Sequence, residues 1–264
     1  MKKYKLVAID MDGTLLTNDK QILFETKKDL LEAYNKDTII CISTGRAFPA
    51  IKKYVDELEI NIPLILYNGS RVRMSQESTL LFNRVIDLEA AKKVYEIISD
   101  KNGTCCFWRN DVCYFNKNNE YTDYYHKLTT IKPIVIDETN DELLTGINKF
   151  IWFGTVEMLD IVQKEYLFGV EGINYFKSHS NLLEIVPTNV SKGNTLEQLI
   201  KKFGISREEV IAIGDDENDI SMIKFAGLGI AMKNAKDSVK KVADYVTDTN
   251  EENGVGKAIN KFIL

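Results

Sequence analysis

Short apolar runs alternate with amphipathic stretches at both ends of this chain, and this alternation constrains its fold more than any other feature. The apolar runs occupy residues 5–9, 38–42, 63–66, 210–213 and 228–231. Four or five consecutive apolar residues are typical of strands buried on both faces, as in a parallel sheet. Helical periods occupy residues 25–34, 49–58, 192–203, 221–225 and 235–242. This order predicts an α/β fold with a doubly wound, mainly parallel, Rossmann-like sheet.

The middle of the chain has a different character. Residues 84–184 are rich in aromatic and turn-forming side chains, with helical periods at 88–100 and 157–168 and strand-like segments at 104–108 and 148–153. We interpret this segment as an inserted α+β domain, a cap on the main domain. The main domain is therefore expected to consist of residues 1–83 and 185–264.

Charge and hydropathy exclude two classes of protein. The chain has 34 Lys and Arg residues against 39 Asp and Glu, a net charge of −5, which argues against binding to nucleic acid phosphates. It contains no apolar run approaching the roughly 18 to 20 residues that span a bilayer. Its four cysteines show neither CxxC spacing nor disulfide density, so we expect reduced thiols and a cytoplasmic protein.

Two aspartates follow the first predicted strand in the motif DMDGTLL, residues 10–16. Open parallel sheets bind ligands at the carboxyl ends of their strands, which is where Asp10 and Asp12 are expected. Two carboxylates at i and i+2 around a turn can direct oxygens at one Mg²⁺, and Gly13 permits the bend. Thr14 adds a hydroxyl and an N–H. An Asx-type turn after a buried strand is the alternative explanation.

Two further motifs supply groups that bind anions. In ISTGR, which ends at Arg46, Ser43, Thr44 and Gly45 present hydroxyl and N–H groups at the start of a helix, although a helix cap and a turn also explain them. Lys192 opens another helix, where a cation opposes the helix dipole, so an anion bound there would explain its position. A solvated surface lysine is the alternative.

A dense acidic motif, GDDENDI at residues 214–220, follows the predicted strand at 210–213. Four of the five residues 215–219 are acidic, and such density is repulsive unless a metal or a lysine offsets it. An acidic first turn of a helix explains the motif alone. All four clusters together, each near an end of a predicted strand or helix, predict a site for a phosphate group and a divalent cation.

The ordered set DMDGTLL, STGR, Lys192 and GDDENDI resembles the haloacid dehalogenase superfamily. The segments EIVPTNVSKG, AMKNAKDSVKKVADYVT and NEENGV are similar to those of its Cof-type phosphatases, whose class IIB cap follows the second motif. The resemblance covers both segments of the main domain, and in the cap it is architectural. It implies a Mg²⁺-dependent phosphatase that hydrolyses a small phosphorylated metabolite, such as a sugar phosphate or a phosphorylated cofactor, through an aspartyl-phosphate.

The catalytic roles of the family carry over to matching positions here. Asp10 would be the nucleophile, and Asp12 would protonate the leaving group and then activate water. The resemblance implies that Asp10, the backbone carbonyl of Asp12 and Asp215 hold Mg²⁺. Attack of one anion on another requires positive charge from Mg²⁺ and Lys192 between them.

The remaining matches concern the phosphate group and its surroundings. The phosphate contacts of the family fall on the Met11 backbone, Thr44, Gly45, Lys192 and Asn218. Asp219 would orient Lys192 or Asn218, and Asp216 occupies a position that varies in this pattern. Thr14 and Arg46 would support the site.

The cap is expected to recognise the leaving group. Its candidate residues are Trp108, Arg109, His126, His179, Ser180 and Asn181, of which Arg109, His179 and Ser180 are the predicted specificity residues. The aromatic residues are more typical of a core. A small phosphorylated metabolite is the expected partner, without nucleic acid or membrane, and the sequence is compatible with a monomer or a dimer.

Two other functions use related residues. A phosphosugar mutase of the same fold would share Asp10 and Asp12 but would exclude water and hold a bisphosphate, for which Arg109 and Lys127 offer little positive charge. A non-enzymatic signalling protein phosphorylated on Asp10 would need a persistent phosphoaspartate, whereas Asp12 is placed to hydrolyse it. We therefore expect hydrolysis.

Overall fold

The computed structural model describes residues 4–77 and 79–264, which form fourteen strands and ten α-helices. The strands are β1 (Leu6–Ile9), β2 (Ile39–Ser43), β3 (Pro63–Leu66), β4 (Arg71–Met74), β5 (Leu80–Asn83), β6 (Thr104–Arg109), β7 (Val112–Phe115), β8 (Ile134–Val135), β9 (Ile147–Phe153), β10 (Ile173–His179), β11 (Leu182–Pro187), β12 (Val210–Gly214), β13 (Leu228–Ala231) and β14 (Tyr245–Val246). The helices are α1 (Phe24–Asn35), α2 (Phe48–Leu58), α3 (Leu88–Asp100), α4 (Glu120–Thr129), α5 (Asp141–Leu144), α6 (Val156–Ile161), α7 (Lys192–Phe203), α8 (Ile220–Phe225), α9 (Asp237–Lys240) and α10 (Gly254–Phe262). They divide into two compact units.

The first unit contains the predicted parallel sheet. It comprises the chain up to Arg46, Ile51–Phe82 and Ser191–Leu264. Its strand order is β14-β13-β12-β1-β2-β3-β4-β5, parallel from β14 to β3, with β4 antiparallel to β3. The central strands β1 and β12 are buried along their whole length, as their continuous apolar sequences predict, so both faces of the sheet are covered.

Helix α7 covers part of one face of this sheet. Its buried Leu196, Leu199 and Ile200 pack in one apolar cluster with Leu6 and Ala8 of β1. Helix α7 begins at an N-cap, Ser191, whose hydroxyl accepts from the Asn194 N–H at 3.1 Å, and ends at Gly204 in the left-handed conformation. The start of α7 is thereby fixed, and with it the position of Lys192.

The second unit, the cap, is α+β as expected. It comprises Ala47–Ala50 and Asn83–Val190, and its strand order is β10-β11-β9-β6-β7-β8. All strand pairs are antiparallel except β7 with β8. Helix α3 packs its buried Ala91, Val94 and Ile98 against Phe107 and Phe150 of this sheet.

The structure differs from the expected elements at three places. The first unit resumes at Ser191 instead of residue 185, because β11 pairs with β10 and β9 of the cap sheet. The helix expected over 157–168 is α6 followed by a π-helix, Val162–Tyr166. The helix expected over 235–242 is limited to α9, because the Lys236 N–H donates to the Asp215 carbonyl before the helix begins.

The four cysteines are buried free thiols, in agreement with the expected reduced state. Within residues 4–77 and 79–264, every helix is too short or too polar to cross a bilayer.

Candidate active site

Four of the sequence motifs meet at one edge of the first sheet. β1, β2 and β12 are neighbours and parallel, so the residues that follow them, Asp10, Thr44 and Asp215, share the carboxyl edge. Lys192 joins them from the first turn of α7. Strand polarity and the cap of one helix therefore bring these groups together from distant parts of the chain.

Lys192 is a buried cation between two carboxylates. Its side chain is fully buried, and Nζ donates to Asp10 Oδ1 and to Asp219 Oδ1, both at 2.6 Å. Burial opposes its charge, but the two carboxylates outweigh burial and raise the pKa of Lys192 above its ordinary value. Lys192 therefore stays protonated, which resolves the unfavourable position of a lysine at a helix N-terminus.

Asp219 is fully buried and uses both of its oxygens. Oδ1 binds Lys192, and Oδ2 accepts from the backbone N–H groups of Asp215 and Asp216 at 3.0 Å each. Of the two expected partners of Asp219, the structure selects Lys192, whereas Asn218 donates to Asn68. Asp219 thus ties the lysine to the acidic turn.

Asp216 has a local structural role. Its Oδ1 accepts from the Glu217 N–H at 2.6 Å and pairs with Lys236 Nζ at 2.6 Å. Burial opposes its ionisation, but Lys236 and the N–H outweigh burial and lower the pKa of Asp216. This residue caps the short turn Glu217–Asp219.

Asp215 is held by Thr14. The Thr14 hydroxyl donates to Asp215 Oδ1 at 2.7 Å. Gly13 has φ +80°, and a Cβ there would lie 2.4 Å from Asp215 Oδ2, so only glycine fits. Burial, together with the charges of Asp219 and Asp216, raises the pKa of Asp215 to about 6. Ionisation of Asp215 is thus less favourable in the folded protein than in water.

The carboxylates of Asp10, Asp215 and Asp219 form one cluster that fits a divalent cation. One oxygen from each lies within 4.8 Å of the others. Burial, followed by the charge of Asp219, raises the pKa of Asp10 well above its ordinary value despite Lys192. Because Asp219 uses both of its oxygens, Asp10 and Asp215 are the residues whose second oxygens would hold the ion. Hard carboxylate oxygens are the donors that Mg²⁺ prefers.

The Asp12 side chain lies in a different environment. Arg46 Nε donates to Asp12 Oδ2 at 2.7 Å, Arg46 Nη2 donates to Oδ1 at 2.5 Å, and Lys20 Nζ donates to Oδ1 at 2.8 Å. Burial opposes ionisation, but Arg46 and Lys20 outweigh it and lower the pKa of Asp12. The expected metal contact of Asp12 concerned only its backbone carbonyl, and its carboxylate pairs with cations instead.

The predicted phosphate contacts are distributed around this edge. Thr44 is buried, and its hydroxyl accepts from the Arg46 N–H at 3.1 Å, which leaves the hydroxyl proton available to an anion. The Met11 side chain is fully buried, so only its backbone can serve a ligand. Asn218 is exposed in the turn after β12.

Two residues of this edge escaped the sequence reasoning. Lys20 lies in the loop after DMDGTLL, and only its contact with Asp12 distinguishes it from other surface lysines. Asn68 follows β3 in an Asn-Gly pair, which indicates a turn in the sequence but does not by itself indicate a contact with the other motifs.

The predicted cap residues do not form one site. Arg109, at the end of β6, pairs with Ile147 at the start of β9. His179 pairs with Leu182 of β11, and Leu182 pairs with Phe153 at the opposite end of β9. Since β9 spans seven residues, Arg109 and the turn of His179 and Ser180 lie roughly 20 Å apart along the strand direction. Arg109 therefore cannot share a small ligand with the other two.

The other cap candidates have structural partners. The Trp108 ring is buried, and its Nε1 donates to the Tyr125 hydroxyl at 3.0 Å, as expected for a core residue. The Nδ1 atom of His126 lies 2.9 Å from the carbonyl oxygen of Ile131. The backbone carbonyl of Asn181 accepts a hydrogen bond from the Gly154 N–H at 3.2 Å.

Comparisons with known proteins identify the family of this chain. A family model described as haloacid dehalogenase-like hydrolase matches residues 7–259. The 5-amino-6-(5-phospho-D-ribitylamino)uracil phosphatase YcsE of Bacillus subtilis is 32% identical, over 98% of this chain and 96% of the relative. YwtE of the same organism, a phosphatase with the same name, is 30% identical over 98% of each chain.

Solved structures share the whole architecture. A haloacid dehalogenase-like hydrolase from Bacteroides thetaiotaomicron has a TM-score of 0.88 at 32% identity, covering 98% of this chain and 99% of the other. A sugar phosphatase of subclass IIB of the same superfamily, BT4131, has a TM-score of 0.82 at 26% identity, with 98% of each chain covered. The overall fold thus occurs in solved hydrolases of this superfamily, one of which is named as a sugar phosphatase.

The raised pKa of Asp215 predicts that Asp215→Asn stabilises the metal-free protein. The folded pKa of about 6 exceeds the ordinary value of 3.8, so stability falls as pH rises through this interval. Asparagine keeps the acceptor for Thr14 and removes the charge. We expect the Tm at pH 8 in EDTA to rise on the order of 2 to 6 °C, and the gain to shrink towards pH 4.

Asp216→Asn is the matched control. Its carboxylate has favourable partners and a lowered pKa, so its stabilising contribution is present at pH 8 and is lost at low pH. We expect this variant to leave the Tm at pH 8 unchanged or lower it. A Tm of Asp215→Asn below that of the wild type at pH 8 would contradict the description of the site.

Proposed function

Because this chain belongs to the haloacid dehalogenase-like hydrolases and is a phosphatase of the Cof type acting on a small phosphorylated substrate, we propose that it uses Asp10 as a nucleophile and Mg²⁺ as its metal. The observation that carries the proposal is the arrangement of Asp10. Its carboxylate is buried at the end of β1, bound to Lys192 at 2.6 Å and clustered with Asp215.

In the proposed first step, a carboxylate oxygen of Asp10 attacks phosphorus while the bond from phosphorus to the ester oxygen breaks. The product is an aspartyl-phosphate and an alcohol. Lys192 already lies on Asp10 and supplies fixed positive charge where two anions must approach. The hydroxyl of Thr44 and the amide of Asn218 would bind phosphate oxygens, since each retains a donor hydrogen beyond its contacts within the protein.

The environment of Asp12 suits the second step directly. Arg46 and Lys20 favour its ionised form, which accepts a proton from the water that attacks phosphorus and releases Asp10. Donation of a proton to a poor leaving group in the first step requires the protonated form of Asp12. Asp12 must therefore leave at least part of the Arg46 contact before it acts as an acid.

A bound Mg²⁺ would neutralise phosphate charge and hold the phosphate in line with Asp10. Asp10 and Asp215 would contribute carboxylate oxygens to it, as the cluster allows. The raised pKa values of the same two groups support this proposal, because a bound cation would stabilise their ionised forms.

We propose phosphate monoesters of polyols and sugars as substrates. Support comes from the relatives named as phosphatases of a phosphoribityl compound and from the structural neighbour named as a sugar phosphatase. Initial rates with 5-amino-6-(5-phospho-D-ribitylamino)uracil, pentose phosphates and hexose phosphates would rank these classes. Uniformly low rates against all of them, with rapid turnover of another ester, would refute this choice.

We expect Asp10→Asn to abolish hydrolysis of p-nitrophenyl phosphate and EDTA to abolish it reversibly. The amide cannot form the acyl phosphate, whereas it retains an acceptor for Lys192. Asp12→Ala should also abolish turnover while Mg²⁺ still raises its Tm, since its carboxylate lies on Arg46 and Lys20. Turnover by Asp10→Asn at the wild-type rate would exclude Asp10 as the nucleophile.

Lys20→Met is expected to reduce activity selectively at low pH. Loss of this cation raises the pKa of Asp12, so a larger fraction is protonated and unable to activate water. With p-nitrophenyl phosphate, whose leaving group needs no proton, we expect the acid limb of the kcat profile to move to higher pH by about 0.2 to 0.7 unit and kcat at pH 8 to change little. The control is Lys201→Met, which removes an exposed pair with Glu197. Equal pH profiles of both variants would contradict the prediction.

A further inference from the structure

Three consecutive residues with positive φ follow β3. They are Tyr67 at 52°, Asn68 at 58° and Gly69 at 113°. Such angles are uncommon for residues other than glycine, and asparagine tolerates them better than tyrosine. Strained backbone of this kind persists where the surrounding contacts determine it, and it concentrates at functional sites. This turn lies at the carboxyl edge of the sheet, beside the loop of Thr44.

The backbone of the turn joins two parts of the site. The Tyr67 N–H donates to the Arg46 carbonyl at 3.2 Å, and the Asn68 N–H donates to the Thr44 carbonyl at 3.0 Å. On its other side, the Thr195 hydroxyl of α7 donates to the Gly69 carbonyl at 2.9 Å. The left-handed turn therefore sets the spacing between the Thr44 loop and the helix that carries Lys192.

Gly69 makes this approach possible. A Cβ at its position would lie 2.6 Å from the Ser191 carbonyl oxygen and 2.7 Å from Thr195 Oγ1. The first of these atoms is backbone and cannot move aside without shifting the start of α7.

The Asn68 side chain lies between two proposed phosphate contacts. It is 7% exposed, and its Oδ1 accepts from Asn218 Nδ2 at 3.0 Å. A Cβ added to Gly45 would lie 3.0 Å from Oδ1 and 3.1 Å from Nδ2 of Asn68, so the backbone of Gly45 packs on this amide. Asn218 is exposed in a short turn, and its bond to a buried group restricts its rotamers.

We infer that Asn68 is a positioning residue, which holds the Asn218 amide and the Gly45 backbone at the phosphate end of the site. This inference rests on the proposed function, because it takes Asn218 and Gly45 as phosphate contacts. A neutral amide suits this place: it accepts a hydrogen bond from Asn218 without adding a negative charge beside the phosphate.

The test is Asn68→Gly, which keeps the left-handed conformation and removes the amide. We expect KM for p-nitrophenyl phosphate and the Kd for inorganic phosphate, measured by calorimetry with Mg²⁺, to rise about five- to tenfold, and kcat to change little. Asn68→Asp retains the acceptor but adds a charge, so its Kd should rise more than that of Asn68→Gly.

The control is Asn102→Gly in the cap. Asn102 also has a left-handed backbone, at φ 50°, and its side-chain oxygen also accepts a hydrogen bond, from Lys117. We expect Asn102→Gly to bind phosphate with the same affinity as the wild type. A Kd for Asn68→Gly equal to that of Asn102→Gly would overturn the inference.

A double-mutant cycle distinguishes positioning from a separate contact. If Asn68 acts through Asn218, phosphate binds Asn68→Gly/Asn218→Ala about as weakly as Asn218→Ala alone. Additive effects would overturn the assigned role. Absence of hydrolysis by the wild type would refute the proposed function alone, since phosphate binding still decides the role of Asn68. Absence of phosphate binding by the wild type would refute both.

Discussion

The buried ammonium of Lys192 is the interaction on which the rest of the site depends. It bonds at 2.6 Å to Asp10 after β1 and to Asp219 after β12, and it belongs to the first turn of α7. Removing three charges from water is costly, and the cost is offset only when every charge has a partner in good geometry. Loss of the lysine would leave two carboxylates buried without a cation. The ion triad therefore joins three distant segments of the chain, and each of its members depends on the others for a partner.

Charge at this edge is divided into two unequal groups. Two cations, Arg46 and Lys20, face the single carboxylate of Asp12. In the other group, one cation faces the carboxylates of Asp10, Asp215 and Asp219, so its formal sum is 1 − 3 = −2. A divalent cation would bring that second group to neutrality, and the raised pKa values of Asp10 and Asp215 express the same deficit. The two groups thus suit different work, proton transfer in one and metal binding in the other.

Much of this arrangement was predictable, because it depends on local patterns and on strand polarity. The apolar runs at 63–66 and 228–231 coincide with β3 and β13, and the helical period at 192–203 coincides with α7. Parallel strands place their carboxyl ends on one edge, so motifs that follow strands must meet there. The cap was harder, since its strands are antiparallel and their order depends on pairing between distant segments. For this reason the sequence does not reveal that the length of β9 separates Arg109 from His179.

The contacts that escaped prediction involve side chains whose role depends on their neighbours. Lys20 has the sequence context of a surface loop, and Asn68 that of an ordinary turn, yet each places one polar atom on a residue of the site. The strained backbone of Tyr67 and Asn68 and the ionised state of the partly buried Asp215 are both unfavourable for folding. The continuous apolar strands beneath them supply stability without such exceptions. The unfavourable negative charge of Asp215 is therefore tolerated at the edge where a cation would offset it, as is expected when function and not stability selects a residue.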